Sequence, residues 1–161
     1  MLQKINNSIF ESPILQPGAE LANENEILQF NIENKLKELE NYHFNSLELR
    51  QMTINDYFIL SLSSEGRNLI AEQIQGLEQQ IKLGIIEEAD ASFEYFYNGG
   101  SVEISLVQLR ALYIFMINTV NTNFGVYKAH IHAINALTTI DAVENYDFTA
   151  NYLKNKNLDI E

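Results

Sequence analysis

Three histidines, a short acidic run and a cluster of aromatics are the side chains in this sequence with the most capacity for chemistry. His130-Ile131-His132 would close on one metal ion if it lay on a strand, where residues i and i+2 share a face. On a helix of 3.6 residues per turn the two rings point about 200° apart and cannot share an ion. The apolar residues around them recur with helical period, so no metal site is expected. Glu87-Glu88-Ala89-Asp90 gathers negative charge, but its spacing is unlike that of a calcium loop, and it reads as a solvated linker. The absence of cysteine removes disulfides, thiolate ligands and thiol nucleophiles together. No Gly-x-Ser-x-Gly, phosphate-binding loop, dinucleotide turn or His-Glu-x-x-His occurs either. The expectation is therefore a protein without catalytic residues, cofactor or metal.

The aromatic set Phe93, Tyr95, Phe96 and Tyr97 could in principle stack on bases or sugars. Ten basic against 22 acidic residues give a net charge of -12, which repels a phosphate backbone and argues against nucleic acid as a partner. Packing is the better use of these rings. Phe96 is the exception, because in a strand it faces away from Phe93 and Tyr95. It must lie under a second layer or, with Tyr97 beside it, serve as a contact for a partner protein.

The elements that position these groups follow from periodicity. With 161 residues, 46% of them hydrophobic, the chain is long enough to bury a core. It has no run of about 20 apolar residues and its first residues lack the apolar stretch of a signal peptide, so no membrane association is expected, and a cytoplasmic location is. Nineteen asparagines and no tryptophan suggest an AT-rich bacterial or phage genome. Residues 1–22 contain Pro13 and Pro17-Gly18 without clean period and read as an extended arm, in which Ile14 and Leu15 are the apolar residues offered to a partner. Asn23 and Glu26 form a cap-like start, and Leu28, Ile32, Leu36 and Leu39 then predict a helix over 24–41, with Glu33 and Lys37 as a supporting pair. Residues 57–62 read as a strand after the turn-like Asn55-Asp56. Ser63 or Ser64 then opens a helix over 65–83, whose seam is Ile70, Ile74, Leu77, Ile81 and Ile85 and whose end is Gly84; Gly76 suggests a close helix contact.

The clearest local signal is a β-hairpin over 92–105. Loops of Asn98-Gly99 or Gly99-Gly100 both put Phe93, Tyr95, Val102 and Ile104 on one face. The second is preferred, because the first sets Glu94 opposite Glu103. Ser105 and Gln108 make a capping box for a helix over 106–137. Its stretch from Leu112 to Ile117 is apolar on every side, which predicts burial all round and self-association through Leu112 and Met116. Val120, Phe124, Tyr127, Ile131 and Ile134 form the expected inner stripe further on, and Gly125 a kink. Thr138 or Thr139 should cap a short helix over 140–144, with an irregular tail from Tyr146. The fold class is thus α+β, mostly α, with three principal helices and a small antiparallel sheet in which the 57–62 strand joins the hairpin. The expected division is an N-terminal arm and helix over 1–55 and a helical domain with the hairpin over 56–161.

Phe58-Ile59-Leu60-Ser61 leading to Arg67, the aromatic hairpin entering Val102-Glu103-Ile104-Ser105-Leu106, the helix with Val126-Tyr127-Lys128-Ala129-His130-Ile131 and Ala133-Ile134, and Thr139-Ile140-Asp141 occur in this order. Over about 56–150 the chain resembles an uncharacterised domain family of tailed bacteriophages and prophages, encoded near tail-fibre and tail-fibre assembly genes. The resemblance implies a non-enzymatic structural or assembly protein of the tail region that binds a tail-fibre or baseplate component, in the host cytoplasm or on the virion. The family's frequent tryptophan in the first hairpin strand is absent. An acidic regulator that binds a host protein or mimics nucleic acid is the alternative.

Overall fold

The computed structural model describes residues 1–5, 8–55, 58–97 and 99–159, with only the backbone of Phe58. The elements in chain order are β1 (Leu2–Ile5), β2 (Ser8–Glu11), β3 (Glu20–Leu21), α1 (Glu24–Asn45), α2 (Leu47–Arg50), β4 (Gln51–Ile54), β5 (Phe58–Ser61), α3 (Ser64–Lys82), a 3-10 turn (Glu88–Asp90), β6 (Ser92–Tyr97), β7 (Gly100–Ser105), α4 (Leu106–Asn135), α5 (Ile140–Glu144) and β8 (Lys156–Leu158). The class is α+β, with α1, α3 and α4 as the principal helices. Among the described residues no helix is long and apolar enough to cross a membrane. The chain divides into two compact units: Met1–His43 with Val126–Ala150, and Phe44–Gly125 with Asn151–Glu161.

In the first unit the expected arm is instead a sheet of order β2-β1-β3, antiparallel throughout, with Gln3 opposite both Phe10 and Leu21. Strands of two to four residues carry too little alternation to be seen locally. Their pairing was decided by closure of the chain on itself, including an Ala22 N–H that donates to the Leu2 carbonyl at 3.2 Å. Asn23 and Glu26 form the expected reciprocal cap: the Glu26 N–H donates to Asn23 Oδ1 at 3.0 Å and the Asn23 N–H to Glu26 Oε2 at 2.9 Å. The other carboxylate oxygen of Glu26 accepts from Lys4 at 2.6 Å, which holds the Glu26 carboxyl below its usual range and the Lys4 ammonium above it. Ile32 and Leu39 are the buried members of the α1 stripe, and the helix runs to Asn45, past the expected end. Near that end the His43 ring stacks on Tyr127 with centroids 4.4 Å apart, and burial lowers the His43 pKa.

The second unit holds the larger apolar core. Met52 and Ile54 from β4, Leu60 from β5, Ile70 and Leu77 from α3, Ile104 from β7, and Leu106, Leu109, Leu112 and Met116 from α4 are buried together. β5 does not join the hairpin as expected. It pairs with β4, and β8 adds to the other side of β4 in parallel, giving the order β5-β4-β8, while β6 and β7 form a sheet of their own. The sequence hides β4 because four residues bearing two inward side chains, Met52 and Ile54, fall below any reliable period. It hides β8 because its partner lies about a hundred residues upstream. Asp56 and Tyr57, part of the expected turn and strand, lie outside the described residues.

α3 is bounded as its sequence predicts. Ser63 Oγ accepts from the Gly66 N–H, and at the other end Ile85 N–H reaches the Gln80 carbonyl while Gly84 N–H reaches that of Ile81, with Gly84 at φ 70°. Gly76 makes no close helix contact: a Cβ built on it meets nothing within 4 Å. The tight approach is at Gly66, where a Cβ would overlap the Ser61 carbonyl oxygen as β5 turns into α3.

Candidate functional site

The hairpin is built by alternation. Phe93, Tyr95, Tyr97 and Val102 turn toward the core of the second unit and Ile104 is fully buried in it, so Glu94, Phe96, Ser101 and Glu103 must face outward. Phe96 is 72% exposed. Of the two expectations for this residue, it stands exposed and not under a second layer. Tyr97, offered with it, is half-buried on the inner side, with its ring against Gly99 and Gly100.

The register corrects the preferred turn. Tyr97 pairs with Gly100, which leaves positions 98 and 99 as the connection and sets Glu94 directly opposite Glu103. Asn98 lies outside the described residues; Gly99 has φ 139°, a region that glycine alone enters freely. The carboxylate repulsion that disfavoured this register is relieved by serines placed diagonally. Ser101 Oγ donates to Glu94 at 2.7 Å and Ser92 Oγ donates to Glu103 at 2.5 Å, so each carboxylate has a hydroxyl donor that offsets its charge. The outward face therefore carries an exposed aromatic beside two ordered anions. A polar cleft lined by Ala89, Asp90, Ala91, Ser92, Glu103, Ser105 and Gln108 adjoins it. Arg110 lies on α4 nearby, but its guanidinium is held by Glu78 at 2.8 Å and Glu88 at 3.0 Å, and these partners raise its pKa further. One member of the acidic run expected to be a free linker is thus tied to a helix.

The second expected contact, Ile14 and Leu15, lies in the first unit on a loop with its own scaffold. Gln3 is fully buried, and its amide donates to the Ile14 carbonyl at 2.8 Å while accepting from the Gln16 N–H at 2.8 Å. Ser12 Oγ donates to the Ile14 carbonyl at 2.7 Å and accepts from the Gln16 side chain at 3.1 Å. Ile14 and Leu15 are left 70% and 51% exposed. Sequence reading found the two apolar residues but missed Gln3 and Ser12, which order them; Ser12-Pro13 was the available turn signal.

Leu112 and Met116, named for self-association, lie inside the second unit. Both are fully buried in the core of the second unit and offer nothing to another copy. The stretch from Leu112 to Ile117 is apolar on every side but is not buried all round: Ile114 is 60% exposed, because a helix buries a broad face without burying its circumference. Further along, the buried positions are Thr119, Asn123, His130 and Ile134, whereas Phe124, expected inside, is half exposed. Asn123 carries out a task no local pattern predicts. Its amide donates to the Leu153 carbonyl at 3.1 Å and accepts from the Leu153 N–H at 2.8 Å, capturing the tail backbone as a strand would.

His130 and His132 lie on one helix and point apart, the first buried and the second exposed. His130 Nε2 lies 3.0 Å from the Ala150 carbonyl and its Nδ1 2.8 Å from the Tyr146 hydroxyl. A carbonyl only accepts, so Nε2 carries the proton, and Nδ1 of that tautomer accepts a hydrogen bond from the Tyr146 hydroxyl. Burial, then Asp147, raises the Tyr146 pKa and keeps that hydroxyl a donor. Among the described residues no three His, Asp or Glu side chains gather as metal ligands. No protein-family model, no curated protein and no solved structure matches this chain.

Proposed function

We propose that this chain is a non-enzymatic protein-binding component of a phage or prophage tail region, acting in structure or assembly on a tail-fibre or baseplate protein. The observation that carries the binding role is Phe96, a large apolar ring 72% exposed on a hairpin whose other face packs in a core. Aromatic side chains presented in this way are the usual anchors of protein interfaces. The scaffolded pair Ile14 and Leu15 supports the same role in the first unit, because buried polar side chains hold an apolar loop tip outward. The tail-region assignment rests on the sequence resemblance over about 56–150.

The test is co-expression with the tail-fibre and baseplate proteins encoded beside it, followed by affinity capture through this chain. A specific complex is expected with one of them, weakened at least tenfold by Phe96→Ser or by Ile14→Ser with Leu15→Ser, while thermal stability stays within a few degrees. A complex indifferent to both variants removes these surfaces from the proposal. Normal phage yield from a gene knockout removes the assembly role.

A further inference from the structure

We infer that the outward face of the hairpin binds a basic segment of the partner protein, with arginine or lysine side chains seated on Phe96 and between Glu94 and Glu103. This deepens the binding role proposed above and rests on it.

Charge complementarity selects the occupant. Residues 92–105 contain Glu94 and Glu103 and no basic residue, so the face has nothing of its own to neutralise these carboxylates. Arg110, the nearest basic residue along α4, is already held by Glu78 and Glu88. The register places Glu94 opposite Glu103, so the two serine-bonded carboxylates stand side by side and together attract a cation that arrives. The serine hydrogen bonds fix both carboxylates before binding, which lowers the ordering cost. Phe96 stands two residues beyond Glu94 on the same face, and its exposed ring offers the π surface on which a guanidinium or ammonium stacks. The adjoining cleft, which includes Asp90 with Glu103, continues the negative surface past the hairpin. An acidic or purely apolar partner would leave these carboxylates repelled or desolvated without a partner.

The inference is tested by fluorescence anisotropy with a labelled twelve-residue peptide alternating arginine and threonine, against the same peptide with glutamate for arginine, at about 150 mM salt, where distant charges are largely screened. The intact chain is expected to bind the arginine peptide and not the glutamate one. Phe96→Ser and the double variant Glu94→Gln with Glu103→Gln should each weaken binding at least tenfold. Glu72→Gln with Glu40→Gln removes the same charge from helical surfaces elsewhere and should change it less than twofold. Circular dichroism confirms that each variant is folded. No binding of the arginine peptide, equal losses in both charge-matched variants, no effect of Phe96→Ser, or equal affinity for the glutamate peptide each overturns the inference. If capture of a tail protein depends on Phe96 while the arginine peptide fails, the basic chemistry is wrong and the binding role stands; if capture is also indifferent to Phe96, both fall at this surface.

Discussion

Glycine shows how much a single residue's meaning depends on what lies beside it. α3 contains Gly66 and Gly76, and nothing in their local sequence marks one as constrained and the other as free. At Gly76 an added methyl meets open space, so Gly76→Ala should stabilise the protein by about 0.5–1 kcal/mol through helix propensity alone. At Gly66 the same methyl overlaps the Ser61 carbonyl oxygen, and relief requires moving the β5-to-α3 turn that Ser63 caps and Arg67 braces by donating to the Leu62 carbonyl. Gly66→Ala should therefore destabilise by about 1–3 kcal/mol. Urea denaturation of the two variants, with midpoints shifting in opposite directions, is the check; equal shifts of the same sign contradict the packing described.

Elements in this protein are held together by side chains that stand in for backbone. Asn123, 4% exposed on α4, pairs with both polar groups of Leu153, and the chain then passes through Asn155, whose N–H donates to the Glu48 carbonyl at 3.0 Å, into β8 beside β4. Asn151 and Asn155 adopt positive φ, a conformation asparagine tolerates better than most residues, so the asparagine-rich tail is suited to the turns it makes. Asn123→Ala removes two buried hydrogen bonds and should cost about 2–3 kcal/mol. Its effect should be local first. The amides of Leu153 and of Lys156–Leu158 are expected to lose hydrogen-exchange protection before those of α3, and uniform loss across the unit would show that the tail is not held by this clamp.

At the scale of the whole molecule, the question is whether its apolar residues are spent on a core or reserved for another copy. Leu112 and Met116 belong to the core of the second unit, at 0% exposure. Met116→Glu places a carboxylate among Leu109, Leu112 and Ile104 with no partner, a loss expected to exceed about 4 kcal/mol. The expected result is an unfolded or poorly soluble protein by circular dichroism at neutral pH. A folded variant of altered oligomeric size by light scattering would instead put Met116 at a subunit contact. Apolar residues are also turned outward, among them Ile14 and Leu15 in the first unit and Phe96 and Ile114 in the second, in a chain of net charge -12.

Interactions between near neighbours were legible in the sequence. The caps at Asn23, Ser63, Ser105 and Thr139, the glycine stop at Gly84, the three long helices and the inward face of the hairpin all depend on residues within a few positions of each other, and local chemistry alone specifies them. The exposed set Phe96, Ile14 and Leu15 was legible for the same reason, since alternation and the prolines mark them. Tertiary structure decided what depends on distant partners. It paired β5 with β4, brought β8 across about a hundred residues, joined Leu2–Ile5, Ser8–Glu11 and Glu20–Leu21 into a sheet, and chose Thr119, Asn123 and His130 for the inner side of α4. It also chose the hairpin register that faces Glu94 with Glu103, because the diagonal serines offset the repulsion that favoured the alternative turn. Short strands and buried polar side chains draw their stability from groups remote in sequence, and no window of neighbouring residues contains those groups.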